Sequence, residues 1–568
     1  MKRRDFITTA ALVSGSGFFL NSCQLVDTRK VFKKTKKIKE LNADIVVIGG
    51  GIGGCATALA ACRNHQRVIL VEETDWIGGQ FSQQGVPPDE HPWIESYGAP
   101  ASYREFRNKV RAYYTRNYPL TEEALMCKYF NPGNGSVSRL CHEPKIALFV
   151  LYEMFAPYIS NKSLLILTEH KIKKAEVNGD NLVAVEIEDV NQNESIYLSA
   201  PYFVDATERG DVLPLSGTEY ITGSESKSQT KEMHASQIAD PENNQAFTVC
   251  FAMDYQSEGN YVIDKPKDYT FWHDYIPDLI PAWSGRLLDL SYPHPATLKP
   301  TTLGFNPEGI ATGEALNLWK YRRIIDKNNF LSNTYKGDIS IVNWPQNDFL
   351  LGNLIDVSEN ESKKHIDAAK QLNLSLLYWL QTEVPRPDGG AGWKGLRLRK
   401  DIMGTEDGMA KYPYIRESRR IKAVFTVLEE HVGAENRKLV SDELEAADFY
   451  DSVGIGYYHI DLHPSFRGNN NIDMPSLPFQ IPLGALLPQR INNLLPANKN
   501  IGTTHITNGC YRLHPVEWSI GEAVGLLISF ARAKKVLPRT IREQPNLLME
   551  FQEWIQKQGI ELKWKKNK

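Results

Sequence analysis

The stretch 504–518 carries the side chains best suited to chemistry in this chain. It reads THITNGCYRLHPVEW, which is unusually polar for a segment that leads into an apolar helix. His505 and His514 are candidate general bases, because imidazole titrates near neutral pH. Arg512 is a candidate for holding an anionic substrate or for stabilising negative charge that develops during the reaction. His514 is the preferred base, since Pro515 disfavours helical backbone at the residue before it and leaves the imidazole at the mouth of the helix. The alternative interpretation is that the three side chains only hydrogen-bond a cofactor or cap the helix.

A second candidate cluster is His459-Ile460-Asp461-Leu462-His463, in which polar and apolar residues alternate. If this segment is a strand, its three polar side chains share one face. Such a face suits the wall of a substrate pocket, a structural hydrogen-bond network or part of a metal site. The spacing leaves the third or fourth metal ligand undefined, so no metal site is predicted.

Residues 46–54, VVIGGGIGG, are typical of a phosphate-binding turn. The turn lies between a predicted strand at 43–48 and a helix of small residues, and a second predicted strand ends at Glu72. In Gly49-x-Gly51-x-x-Gly54, the first glycine permits the tight turn, the second lets the backbone approach a pyrophosphate, and the third allows close packing of helix and strand. The helix N-terminus offers N–H groups to the phosphates, and Glu72 can accept the ribose hydroxyls. This unit predicts a dinucleotide site.

Residues 390–395, GAGWKG, also fit the pattern GxGxxG. This copy follows the residues PRPD instead of an apolar strand, and Trp393 occupies the place where the chain should pass a pyrophosphate. We therefore expect a loop here, and no second nucleotide site for NAD(P)H.

Segments further along the chain indicate which dinucleotide is bound. A glycine pair (78–79) follows Glu72, FVDAT (203–207) is an apolar run that ends in Ala-Thr, and NLLPANKN (493–500) precedes the helical GEAVG (521–525). This order resembles the flavin-dependent oxidoreductases of the glutathione-reductase structural superfamily, although Glu208 stands where they usually have a glycine. The resemblance implies that Asn498 or Asn500 meets the ribityl chain and that a helix N-terminus near Gly521 points at the flavin. The predicted cofactor contacts are Gly49, Gly51, Gly54, Glu72, Gly78, Gly79, Ile172, Thr207, Asn498 and Gly521.

Four longer segments, 86–99, 414–421, 451–464 and 504–523, narrow the resemblance to the bacterial FAD-dependent oxidoreductases of the FAD_oxidored family, some of which are labelled xanthan lyase-like. The resemblance runs over nearly the whole chain after about residue 42 and implies tightly bound FAD, but no particular substrate. The expected fold is α/β, with a Rossmann-type FAD-binding domain interrupted by a mixed α+β substrate domain. The predicted boundaries are an export signal (1–22), a basic tether (23–41), the first part of the FAD-binding domain (42–224), the substrate domain (225–477), the C-terminal part of the FAD-binding domain (478–540) and a tail or helix (541–568).

The N-terminal residues are predicted to direct export. Arg3-Arg4 precede a weakly apolar stretch (7–20) that is too short to span a bilayer, a pattern that resembles a twin-arginine signal. Leu20-Asn21-Ser22-Cys23 resembles a lipoprotein cleavage box, so the expected location is periplasmic or anchored to a membrane through Cys23. The net charge of −3 over 568 residues gives no reason to expect nucleic acid as a partner.

Together these features predict an exported FAD-dependent dehydrogenase or oxidase. It would transfer hydride from a small polar organic molecule, such as a sugar-like alcohol, to flavin N5. Oxygen, a quinone or a redox protein would serve as electron acceptor, because NAD(P)H is scarce outside the cytoplasm. One alternative is a flavin monooxygenase or reductase that uses NAD(P)H. Another is a glycan-binding lipoprotein without catalytic activity that keeps FAD for its structure.

Overall fold

The computed structural model describes residues 39–309 and 315–565, and it contains mixed α/β structure arranged around a parallel sheet. In chain order the strands are β1 (Lys39–Asn42), β2 (Ile45–Ile48), β3 (Val68–Val71), β4 (Leu164–Leu167), β5 (His170–Asn178), β6 (Asn181–Asp189), β7 (Ser195–Ser199), β8 (Tyr202–Asp205), β9 (Tyr220–Ile221), β10 (Phe247–Thr248), β11 (Phe251–Tyr255), β12 (Ser291–Pro293), β13 (Pro300–Thr302), β14 (Arg323–Ile325), β15 (Ile339–Val342), β16 (Asp348–Phe349), β17 (Leu396–Leu398), β18 (Arg420–Ile421), β19 (Ser452–Gly456), β20 (Ile460–Leu462), β21 (Ile472–Met474), β22 (Phe479–Pro482) and β23 (Leu494–Pro496). The α-helices are α1 (Ile52–Arg63), α2 (Ala101–Asn117), α3 (Glu122–Met126), α4 (Pro144–Ser160), α5 (Val212–Ser216), α6 (Lys227–Thr230), α7 (Tyr269–Asp274), α8 (Leu318–Tyr321), α9 (Glu359–Thr382), α10 (Lys400–Met403), α11 (Glu429–Val432), α12 (Ala434–Ser441), α13 (His505–Tyr511), α14 (His514–Lys534), α15 (Pro538–Glu543) and α16 (Pro545–Lys557).

The central sheet has the strand order β23-β8-β2-β3-β4, and every neighbouring pair is parallel. Along β2, Ile45 and Val47 enter the larger of two hydrophobic cores, whereas Val46 and Ile48 enter the smaller one. Both faces of the sheet are therefore covered, as a run of four apolar residues requires. The predicted Rossmann-type α/β fold is confirmed.

A second sheet, β1-β7-β6-β5, covers one side of the central sheet through the smaller core. The hairpin between β5 and β6 turns at Gly179, whose φ of +60° suits glycine, as the sequence Asn-Gly-Asp predicts. The predicted tether at 23–41 is wrong at its end, because residues 39–42 form β1 and pair in parallel with β7. The export signal, Cys23 and the rest of the tether lie outside the described residues.

The middle of the chain forms the antiparallel sheet β14-β15-β11-β17 beside the long helix α9. Ser358 caps the N-terminus of this helix by accepting a hydrogen bond from the Glu361 N–H. The larger core runs from the central sheet into this region without interruption. The domain boundaries at 224/225 and 477/478 stay predictions.

The second GxGxxG is a loop, as predicted. Residues 386–392 form a turn closed by a bridge between Pro385 and Ala391, and Gly390 is exposed. In the part of the chain that the structure describes, no helix is long and apolar enough to cross a membrane.

Helix α14 begins at His514, so Gly521 lies well inside the helix and not near its N-terminus, where the family resemblance placed it. The last residues are packed, because Phe551 of α16 lies against Phe530 of α14 with ring centroids 5.2 Å apart and ring planes tilted by 51°. Of the two forms predicted for 541–568, a tail or a helix, residues 545–557 adopt the helix, which completes the core.

Candidate active site

The glycine turn forms a tight cradle between β2 and α1. Gly49 has a φ of +101°, and a Cβ there would overlap the Ala206 carbonyl at the end of β8, so only glycine fits. A Cβ on Gly54 would overlap the Gly49 carbonyl, which is the close packing that the sequence pattern predicts. Gly51 caps α1, and its Cβ position lies 3.5 Å from Asn498 Nδ2. The N-terminus of α1 therefore faces the Asn498 side chain across Gly51.

Glu72 follows β3 and turns back to this cradle. Its Oε2 accepts the Gly50 N–H at 2.8 Å, and its Oε1 accepts the Thr74 N–H at 2.8 Å. Burial raises the pKa of Glu72 to about 7. The predicted contact with the adenosine ribose requires an acidic side chain beside the glycine turn, and Glu72 lies there.

The glycine pair lies directly against the turn. Gly78 and Gly79 both have positive φ, +116° and +56°, and a Cβ on Gly79 would come within 2.9 Å of Gly51 Cα. Thr207, just past β8, donates its hydroxyl to Asp205 Oδ1 at 2.7 Å. Ile172 lies in β5 and packs on the smaller core. The cofactor contacts predicted for these residues stay predictions.

Both asparagines predicted for the ribityl chain are hydrogen-bonded within the protein, but Asn498 is the one beside Gly51. Asn498 Nδ2 donates to the Ala206 carbonyl at 3.3 Å, and its Oδ1 accepts the Lys499 N–H at 2.8 Å. Asn500 is occupied in the core, since its Nδ2 donates to the Asp205 carbonyl at 2.9 Å and its Oδ1 accepts the Asn498 N–H. Gly521, by contrast, touches the backbone of Gly53 in α1. In the structure Gly521 allows α1 and α14 to pack closely. It lies seven residues after His514, the first residue of α14, and therefore not at a helix N-terminus.

Sequence reasoning missed a buried charge cluster in the cradle. Lys499 is fully buried and forms an ion pair with Glu208 Oε2, and its Nζ lies 3.3 Å from Glu517 Oε1. The free oxygen of Glu208, Oε1, lies 2.7 Å from the Cβ position of Gly51. Glu208 Oε1 and both Glu517 oxygens lack a hydrogen-bond partner among the described residues. Burial, together with the nearby Glu208, raises the pKa of Glu517 to about 7, although Lys499 opposes this shift. The sequence feature that could have indicated this cluster is Glu208, which follows Ala206-Thr207 where the related enzymes usually have a glycine.

These residues fit an FAD molecule. The twelve-residue helix α1 directs its N-terminus at the position of a pyrophosphate, and Gly51 leaves space that a side chain would fill. Glu72 suits the adenosine ribose, and Asn498 suits the ribityl chain. The unpartnered buried oxygens beside Gly51 and Gly79 are the kind of polar atoms that a bound polar group satisfies.

His514 is not free to act as the predicted base. Its Nδ1 accepts the Asp89 N–H at 3.1 Å, so its Nε2 carries the proton and donates it to the Val86 carbonyl at 3.2 Å. The ring is fully buried against Phe81, and this burial lowers the pKa of His514 to about 4. Because both nitrogens are used, His514 fixes the 86–89 segment and has no lone pair for a substrate.

His505 and Arg512 lie at opposite ends of α13 and face different surroundings. His505 Nδ1 contacts the Glu417 carboxylate at 2.9 and 3.0 Å beside a small cavity of about 40 Å³. Burial alone would lower the pKa of His505, but Glu417 outweighs it and the net shift is upward. Arg512 instead donates to the Tyr414 hydroxyl and, at 2.9 Å, to Asp461 Oδ2. The structure therefore does not bring the three predicted catalytic residues together.

The alternating segment 459–463 has its polar side chains on one face, as predicted. Asp461 in β20 contacts Arg512, and His463 bridges Asp461 at 3.5 Å and Asp348 at 2.6 Å. His459 Nδ1 is hydrogen-bonded to Asp473 of the neighbouring strand β21. Within residues 39–309 and 315–565 there is no group of three or more acidic, His or Cys side chains suited to a metal ion.

The parallel sheet, the glycine cradle and the acidic residue after β3 define a flavoprotein with a Rossmann-type nucleotide domain. Residues 44–555 match the model of the FAD dependent oxidoreductase family. The chain belongs to this family, as the sequence motifs predicted, and it is an FAD-dependent oxidoreductase with FAD as cofactor. No significant match occurs among the curated proteins.

Solved structures of flavoproteins show distant similarity. OxyS anhydrotetracycline hydroxylase from Streptomyces rimosus is 9% identical, with 90% of this chain and 65% of that chain covered and a TM-score of 0.34. The p-nitrophenol 4-monooxygenase PnpA from Pseudomonas putida DLL-E4 is 12% identical, with coverages of 68% and 71% and a TM-score of 0.31. L-proline dehydrogenase from P. horikoshii is 16% identical, with coverages of 35% and 26% and a TM-score of 0.18. The chain thus spans less than two thirds of the hydroxylase and of the proline dehydrogenase.

Gly51→Val should give protein that has lost most of its FAD. The added side chain would occupy the space between α1 and Glu208 and keep the phosphates from the helix N-terminus. Flavin absorbance relative to protein measures occupancy. Gly390→Val, in the exposed second GxGxxG, is the matched control and should keep its FAD. Full occupancy in Gly51→Val would mean that the cradle is in the wrong place.

Lys499→Met should weaken FAD binding at least about tenfold, because Glu208 beside Gly51 and the nearby Glu517 would lose their shared buried cation, and uncompensated negative charge opposes the binding of an anionic diphosphate. Glu208→Gln should bind FAD as well as the wild type or more tightly. Reconstitution of the apoprotein, followed by quenching of flavin fluorescence, gives both affinities. Lys534→Met removes a surface ion pair with Glu550 and serves as control. Equal weakening by Lys499→Met and Glu208→Gln would contradict the charge argument.

Proposed function

We propose that this FAD-dependent oxidoreductase is a dehydrogenase or oxidase of a small polar organic molecule, with its reaction centre at Arg512 and His459. The observation that carries the proposal is the arrangement around Asp461. Arg512 binds Asp461 from the side of α13, while His459 lies next to it on the same face of β20. The buried guanidinium of Arg512 and the partly exposed imidazole of His459 thus both lie near the carboxylate of Asp461.

His459 is better placed than His514 to act as a base. Asp473 holds its Nδ1, so the neutral ring presents the lone pair of Nε2. Its side chain is 38% exposed, which gives a substrate access that the buried His514 lacks. Burial lowers the pKa of His459, but the hydrogen bond to Asp473 and the charges of Asp461 and Asp473 together outweigh it, and the net shift is upward. The neutral form of this imidazole can accept a proton from a substrate.

In this proposal His459 Nε2 removes the hydroxyl or amine proton of the substrate as the adjacent carbon loses hydride. Bound FAD supplies the hydride acceptor. Arg512, held by Tyr414 and Asp461, positions polar atoms of the substrate, and its Nε has no hydrogen-bond partner in the described structure. Asp473 stabilises the imidazolium that forms at His459.

We further propose that the enzyme is exported and passes its electrons to oxygen, a quinone or a redox protein. Arg3-Arg4 and the apolar stretch after them support export. A requirement for NAD(P)H is less favoured, because the second GxGxxG forms an exposed turn instead of a nucleotide site.

His459→Asn should slow flavin reduction by about 10²–10⁴, the usual effect of losing a positioned base, and leave FAD content unchanged. The measurement is anaerobic bleaching of the flavin with the best substrate from a screen of alcohols, amines and sugars. In the wild type the rate should fall as the pH drops below the pKa of His459, because the protonated ring cannot accept a proton. Asp473→Asn should move this inflection to lower pH, since Asp473 raises the pKa.

His273→Asn is the matched control for His459→Asn. His273 is also bonded through Nδ1 to an aspartate, Asp274, and its side chain is 28% exposed. Wild-type reduction by His459→Asn would refute His459 as base. If no substrate in the screen bleaches the wild-type flavin, the non-catalytic alternative is favoured.

Replacing Arg3 and Arg4 by Lys should retain the precursor in the cytoplasm if the folded-protein route is used. Cell fractionation followed by immunoblotting gives the distribution. A Thr9→Ser variant, which keeps both the arginine pair and the cleavage box, is the control for a general effect of changing the leader. Unchanged export of the double-Lys variant would favour the route for unfolded chains.

A further inference from the structure

A buried arginine near the proposed reaction centre lacks close partners. Arg322 joins α8 to β14, and its side chain is 9% exposed. Its guanidinium reaches the Pro87 carbonyl at 3.4 Å and Asp89 Oδ2 at 3.5 Å from both terminal nitrogens, and its Nε has no partner among the described residues. These distances are at the limit of hydrogen bonding. A buried guanidinium held this loosely is costly unless another group completes its pairing.

The same fold satisfies other buried arginines well. Arg107, which is just as buried, makes four hydrogen bonds of 2.7–3.1 Å to Glu90 and Glu95. Arg420 is likewise held by Glu225 at 2.9 Å and by Glu417. The loose contacts of Arg322 are therefore a local property of this site.

Arg322 and Arg512 share part of their surroundings. Asp89, Tyr414 and Tyr458 are electrostatic neighbours of both arginines. Arg512 also has an Nε without a partner. Tyr321, whose ring centroid lies 5.0 Å from the Arg322 guanidinium carbon, and Tyr458 are only partly buried. Two guanidinium groups that each have an unused Nε–H thus have partly exposed tyrosine side chains among their neighbours.

We propose that Arg322, assisted by Arg512, binds a carboxylate of the substrate, so that the enzyme acts on a carboxylate-bearing alcohol or amine and not on a neutral sugar. A carboxylate matches the planar, two-pronged donor edge of a guanidinium. Asp89, 3.5 Å from Arg322, already supplies one negative charge and disfavours a dianion such as a phosphate ester. The assignment of substrate class rests on the proposed reaction centre, but carboxylate binding can be measured without turnover.

The test uses the FAD-loaded enzyme and three probes, glycolate, lactate and mandelate, each compared with its neutral amide. Flavin difference spectra and thermal shifts report binding. We expect at least one carboxylate to bind saturably and its amide not to bind. Arg322→Gln should raise the Kd of that carboxylate at least about tenfold, with a smaller rise in Arg322→Lys. Asp89→Asn should lower the Kd, because it removes the competing negative charge.

Arg386→Gln, which removes a surface arginine stacked on Trp393, is the control and should leave the Kd unchanged. Absence of carboxylate binding, equal binding of amides, or an unchanged Kd in both Arg322 variants would overturn the inference. If Arg322→Gln does not hold FAD, the test rests on Asp89→Asn, which should lower the Kd of the carboxylate. A Kd that does not fall in Asp89→Asn would then overturn the inference. Carboxylate binding without flavin reduction would contradict the proposed function alone.

Discussion

The close contact between α1 and α14 is the constraint on which the site depends. Gly521 lies against the Gly53 backbone, and a side chain on Gly53 would overlap the Ala497 carbonyl just after β23. Such an approach is possible only between residues without a Cβ, and it leaves no freedom in how the two helices cross. It also fixes the loop after β23, and within that loop the hydrogen bond from Asn498 to the Ala206 carbonyl and the ion pair of Lys499 with Glu208 hold the two side chains in the cradle.

Buried charges form a continuous network behind this contact. Arg416 contacts Asp348, which binds His463, and His463 reaches Asp461, the partner of Arg512. Breaking one link in such a chain leaves an unpaired buried charge, which is far more costly than the net value of the pair. The network therefore holds Asp461 and Arg512 in one geometry, whatever small molecule occupies the space in front of them. Rigid placement of this kind is what the orientation of a reacting substrate requires.

Local patterns were enough to predict the nucleotide half of the site. The glycine turn, the strands around it and Glu72 are encoded within about thirty residues, so periodicity and spacing located them. Partners distant in sequence were not accessible in this way. Lys499 is paired with Glu208 across 291 positions, and His514 loses its lone pair to the backbone of Asp89, 425 positions earlier. Pro515 was expected to keep His514 out of the helix, but the structure has the proline in the first turn, where its missing N–H costs no hydrogen bond, and the helix begins at His514.

The division of the nucleotide site between the two ends of the chain has a consequence during synthesis. The glycine turn leaves the ribosome first, but Asn498, Lys499 and α14 follow more than four hundred residues later. Until then α1 lacks its contact with α14, and the nascent chain presents an incomplete site for a long part of translation. Cofactor capture must therefore coincide with the final stage of folding, and cellular FAD supply should control how much of the newly made chain escapes aggregation or proteolysis.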